Sequence, residues 1–147
     1  MATSANRIPH NRVRLPITRA LQIGVLGGLL AALGNLVVYA VSESLFDMNL
    51  VVPTGPGGEL VPLTILNVAV TSVIPGLVAG LLLYFLSRVS SEPLQIFGGI
   101  ALSILLFSFT LPLGAPAIPF DVRAALAVMH VVAAGAITWM VWRYWNK

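Results

Sequence analysis

Long uncharged stretches punctuated by short polar connections set the pattern of this chain. No Asp, Glu, Lys or Arg stands between Arg19 and Glu43, between Glu59 and Arg88, between Glu92 and Asp121, or between Arg123 and Arg143. A helix that crosses a bilayer needs about 20 predominantly apolar residues. The uncharged stretches supply four such helices, at about 18–41, 62–86, 94–112 and 121–143. The pattern predicts an all-α fold, an integral membrane four-helix bundle. It occupies one domain over residues 17–147, behind a short basic tail at 1–16.

The connections differ in character. VVPTGPGGELVP belongs to the longest one, about 43–61, where Pro53, Gly55, Pro56, Gly57 and Gly58 argue against regular structure and for tight turns. No GK[ST] follows these glycines, so they make no phosphate loop. Just before them, ESLFDMNL can lie as a short amphipathic helix on the outer surface. The second connection is SRVSSEP. The third, PLGAPAIPFD, carries Pro112, Pro116 and Pro119 as a stiff cap, then Asp121 near the start of the fourth helix, where a carboxylate meets the positive end of the dipole. LQIGVLGGLLAAL, from Leu21, and LQIFGGIALSILL, from Leu94, are similar enough to hint at a parallel duplication of two helices plus two.

Composition agrees with this pattern, since 58% of residues are hydrophobic and 9% charged, against roughly 25% charged in soluble domains. The net charge of +3 does not indicate nucleic acid, because its distribution has a simpler cause. Arg7, Arg12, Arg14, Arg19, Arg88, Arg143 and Lys147 all fall on one side of the expected bilayer. Glu43, Asp47, Glu59 and Asp121 fall on the other, with Arg123 the one basic residue there. By the positive-inside rule both termini are cytoplasmic. Trp139, Trp142, Tyr144 and Trp145 form an aromatic belt at that interface. Ala40-Val41-Ser42 imitates a signal-peptide cleavage site, but the apolar run before it exceeds a signal core of about 7–15 residues. With no cysteine in the chain, disulfides, thiolate metal sites and cysteine nucleophiles are excluded.

Because lipid gives helices no hydrophobic reason to associate, small residues mark their contacts. Gly24, Gly28, Ala31 and Asn35 share one face of the first helix. Thr64, Asn67 and Thr71 share a face of the second, while Ser72, Gly76 and Gly80 lie nearly opposite. Gly99, Ser103 and Thr110 align on the third. His130 sits among Ala127, Ala133 and Ala134 on the fourth. His130, Asn35, Asn67, Thr71, Ser103 and Thr110 therefore form a candidate polar cluster or ligand site in the outer half of the membrane. Gly24, Gly28, Gly76 and Gly80 are the candidate packing positions, within the bundle or against another subunit.

Two readings of His130 stand side by side. Bonded to Asn35, Asn67 or a hydroxyl, a neutral histidine locks helix register as structural glue. Left with a free nitrogen, it marks the site of a lipid-soluble ligand such as a quinone head group. No cofactor is predicted: membrane haem wants two histidines, and the only other one is His10 in the tail. Proton pumping lacks an acid inside a helix, and hydrolysis lacks a deep carboxylate and an activated serine.

The basic tail leading into a Gly/Ala-rich first helix, the proline-bearing loop before the fourth, and the run Leu126…Met129-His130…Ala133-Ala134 resemble an uncharacterised bacterial family of small four-helix membrane proteins, a domain of unknown function. The resemblance covers nearly the whole chain and implies a compact four-helix unit. It brings no activity and assigns no functional residue. The residues lead first to a non-enzymatic accessory or scaffolding subunit, whose outer loops and glycine face meet a protein partner or copies of itself. The alternative is binding or transport of a small lipid-soluble, quinone-like ligand in an outward-facing cavity around His130.

Overall fold

The computed structural model describes residues 14–55, 58–110, 114 and 118–145. Arg7, His10, Arg12, Pro56, Gly57, Leu111, Pro112, Pro116 and Lys147, and most of the expected basic tail, lie outside the described residues. Four helices carry the fold: α1 (Ile17–Phe46), α2 (Ile65–Val89), α3 (Pro93–Ser108) and α4 (Phe120–Trp145). α1, α2 and α4 are long and apolar enough to cross a membrane. α3 has 16 residues, a length of about 24 Å at 1.5 Å per residue.

The first helix runs further than its uncharged stretch. ESLF continues α1 to Phe46 instead of forming a separate surface helix, and Asp47 ends it in the left-handed conformation, φ 50°. Met48 N–H then turns back to the Ser42 carbonyl at 3.1 Å. Asp tolerates that conformation better than most side chains. The loop that follows also corrects expectation, because it contains regular structure. β1 (Val51–Pro53) and β2 (Leu60–Pro62) pair antiparallel, Val51 opposite Pro62 and Pro53 opposite Leu60. Pro53 and Pro62 sit at strand ends in a two-stranded ribbon, where a missing N–H is tolerated. Leu63 N–H bonds the Leu50 carbonyl at 2.8 Å, and both leucines are buried. The hairpin thereby plugs one end of the bundle.

α1 packs along its length against both α2 and α4, whereas α3 rests lightly on α2 and α4. The α1–α2 contact is backbone against backbone. A Cβ placed on Gly76 would lie 2.5 Å from the Gly24 carbonyl oxygen and 2.5 Å from the Gly28 Cα. A Cβ on Gly80 would lie 2.5 Å from the Ala20 carbonyl oxygen. The glycines of both helices are thus consumed inside the chain, so they leave no glycine face for another subunit. Gly27 makes a looser approach to Ile137 on α4.

Two apolar clusters close the ends. At the hairpin end Leu50, Leu63, Val68, Ile118, Val122, Leu126 and Met129 pack together. At the other end Leu15, Ala20, Leu83, Phe97, Met140, Val141 and Trp145 do so. Both described termini lie at this second end. Leu15 N–H bonds Ser87 Oγ at 3.3 Å, and Arg19 donates to the Tyr144 carbonyl at 3.3 Å.

Two alanine substitutions separate contact from propensity. Gly76→Ala should cost about 1–3 kcal/mol, the usual range for overpacking. Gly98→Ala, which faces open space, should be neutral or gain up to about 1 kcal/mol of helix propensity. Unfolding in one detergent system measures both.

Candidate functional site: a cavity between α2, α3 and α4

Because α3 covers α2 and α4 only lightly, a partly open space remains between the three. Its volume is about 760 Å³, within the range of roughly 300–1,000 Å³ seen for small-molecule sites. α1 supplies Asn35 as part of the floor. α2 lines it from Asn67 to Leu82, α3 from Phe97 to Ser108, and α4 from Leu126 to Thr138, with Val52 and Leu63 at the hairpin end. No Asp, Glu, Lys or Arg side chain is among the lining residues.

Four of the six expected polar residues share this cavity: Asn35, Asn67, Thr71 and His130. Ser103 and Thr110 do not. Both are exposed and donate to carbonyls of their own helix turn, Ser103 to Gly99 at 2.9 Å and Thr110 to Phe107 at 2.7 Å. Neither Ser103, on α3, nor Thr110, two residues past its end, lines the space, although the spacing that aligned them with Gly99 is real.

The expected bridge from His130 to an asparagine is also absent. His130 Nδ1 lies 2.7 Å from the Leu126 carbonyl, one turn back on α4. A carbonyl oxygen only accepts, so Nδ1 carries the hydrogen and Nε2 of the neutral ring keeps its lone pair. The half-buried ring lies beside Phe109, centroids 6.5 Å apart. Asn35 instead meets Ser72, its Nδ2 donating to Ser72 Oγ at 2.9 Å. Ser72 passes its own hydrogen to the Val68 carbonyl at 2.7 Å. That relay fixes the amide orientation, since Ser72 can only accept from Asn35 while it donates to Val68. Asn35 is 6% exposed, and its Oδ1 is buried without a hydrogen-bond partner.

Ser72, Ser108 and Thr138 also line the cavity. Thr138 was legible in principle, standing eight residues from His130 on the face that Ala134 shares. Ser72 was read with the glycines, on the side away from Asn67. Ser72 serves both the α1 seam, through Asn35, and the cavity wall. Pro75, inside α2 and on the cavity wall, has no N–H to offer the Thr71 carbonyl one turn back. Among the described residues no group of three or more His, Asp or Glu side chains gathers to hold a metal.

Three apolar helices of membrane-spanning length, with an uncharged cavity beside two of them, define a membrane protein. The chain belongs to the family of unknown function DUF6069, whose model matches residues 16–147. No curated protein and no solved structure matches it.

The hydrogen bonds predict unequal roles for the polar residues. Ser72→Ala leaves the buried Asn35 amide without its acceptor and should cost about 1 kcal/mol, within the range measured for interhelical bonds in membranes. His130→Leu removes only a bond to its own helix and should change stability by less than about 0.5 kcal/mol. Reversible unfolding in a single detergent compares the two directly.

Proposed function

We propose that this protein binds a small, lipid-soluble molecule in the cavity around His130. The observation that carries the reading is the pairing of an uncharged space of about 760 Å³ with a histidine whose only hydrogen bond among the described residues is to its own helix. A histidine serving as glue would bond a neighbouring helix. His130 does not, and its second nitrogen has no partner among the described residues. Asn35 already performs the cross-helix role through Ser72. The accessory-subunit reading loses its main support, because the glycine faces on which it relied are spent between α1 and α2.

The same proposal sets the protein in a bacterial cytoplasmic membrane with both termini inside. Arg14, Arg19, Arg88 and Arg143 gather at the end where the described termini meet, and Glu43, Asp47, Glu59 and Asp121 at the hairpin end. The positive-inside rule assigns the first of these ends to the cytoplasm. In this orientation the hairpin faces outward.

Two experiments check these statements. Protein extracted gently from membranes should carry a small hydrophobic molecule detectable by native mass spectrometry. Ala134→Trp, which fills the cavity wall, should lose that molecule while retaining its fold; wild-type protein that carries none, or a filled cavity that keeps it, contradicts the reading. The absence of cysteine makes the topology simple to map. A single cysteine at Glu59 should react with an impermeant maleimide on intact cells, and one at Ser91 should react only after lysis.

A further inference from the structure

The hydrogen-bonding character of the cavity wall is one-sided. Thr71 Oγ1 donates to the Asn67 carbonyl at 2.6 Å, Ser72 Oγ to the Val68 carbonyl at 2.7 Å, and Ser108 Oγ to the Leu105 carbonyl at 2.7 Å. Each hydroxyl has given its hydrogen to its own helix and keeps only lone pairs to offer. His130 has done the same through Nδ1, which leaves Nε2 as an acceptor. Pro75 deprives the Thr71 carbonyl of its helical donor. On the floor, the buried Asn35 Oδ1 accepts nothing. Two lining groups, the Asn67 amide and the Thr138 hydroxyl, are able to act either way. Asn35 also keeps the second hydrogen of its amide group, and the remaining polar groups of the wall only accept.

Acceptors in an apolar space that opens toward lipid call for a hydrogen brought in from outside, because a polar group left unmet there is costly. The wall holds no charge to match an ionic ligand, and an isolated ion would be strongly disfavoured. The lining is elongated, running along α2 from Asn67 to Leu82, about 22 Å at the helical rise. A flat head with a long apolar body fits that shape.

We propose that the cavity selects a neutral apolar molecule that carries a hydroxyl donor, of the phenol, hydroquinone or long-chain alcohol class, over the same molecule with that hydrogen removed. This rests on the ligand-binding reading and sharpens it, since a quinone, which has only carbonyl acceptors, faces a wall of acceptors while its reduced form does not. His130 Nε2 and the Thr71 carbonyl are the principal recipients.

A matched pair of probes tests the preference. Para-nonylphenol and its methyl ether para-nonylanisole differ by the donor hydrogen, and neither is charged at neutral pH. Saturable binding of each to the full chain in lipid nanodiscs, measured against empty nanodiscs, should favour the phenol about tenfold. His130→Phe keeps bulk but removes the lone pair; Pro75→Ala restores an N–H to the Thr71 carbonyl and improves helix propensity, so it folds readily. Each should cut the preference to about threefold or less. Equal binding of phenol and ether overturns the donor proposal and leaves the ligand-binding reading intact. Binding of neither probe overturns both. A full preference that survives in both variants overturns the assignment to this wall.

Discussion

Close backbone contact between α1 and α2 is the constraint on which the rest of this structure depends. In lipid, apolar side chains gain little by exchanging one apolar neighbour for another, so association relies on packing and a few polar bonds. Gly24, Gly28, Gly76 and Gly80 let the two backbones meet with no side chain between them. The same face continues to Asn35 and Ser72, whose hydrogen bond fixes the register that the glycines permit. α4 packs on a neighbouring face of α1, at Gly27 and Gly34, and also touches α2 directly. The light α3 rests against both without filling the space beside them. The cavity is that space.

The polar residues divide their work accordingly. Asn35 and Ser72 bond across helices, while His130, Thr71, Ser103, Ser108 and Thr110 return hydrogens to their own helices. A local bond of that kind hides a donor from lipid at no cost in tertiary structure. It also makes the residue's remaining lone pair the group presented to whatever fills the adjoining space. Within the cavity, that economy turns a set of ordinary hydroxyls and one imidazole into an acceptor-lined wall. Outside it, on the exposed face of α3, the identical bond at Ser103 is only a satisfied surface residue. Position relative to the seam decides which of the two a given hydroxyl becomes.

Much of this was legible in the sequence, and the limits have physical causes. Uncharged run length located the helices, because lipid tolerates little else. Helical spacing grouped Gly24, Gly28, Ala31 and Asn35, and all four are buried on α1. Ser72, Gly76 and Gly80 were likewise grouped, and all three are buried on α2. Periodicity says which residues share a face, but not which faces of different helices meet. For that reason Asn35 was expected near His130 or Asn67, when the glycine seam carries it to Ser72. Ser103 and Thr110 were misplaced for a related reason: a short, lightly held helix need not turn its polar face inward. The hairpin was missed because its glycines and prolines were read as forbidding strands, although they only bound them. The histidine's own-helix bond is invisible to spacing, since any residue has a carbonyl one turn behind it.

The central claim is that His130 offers a free acceptor nitrogen to a guest within the membrane. Nitrogen NMR of histidine-labelled protein in lipid bilayers, with His10→Gln so that a single ring reports, observes that nitrogen directly. The account predicts a hydrogen on Nδ1, a bare Nε2, and a shift of the Nε2 signal alone as a hydroxylic ligand is added. A hydrogen found on Nε2, or a ring unmoved at saturating ligand, would contradict it.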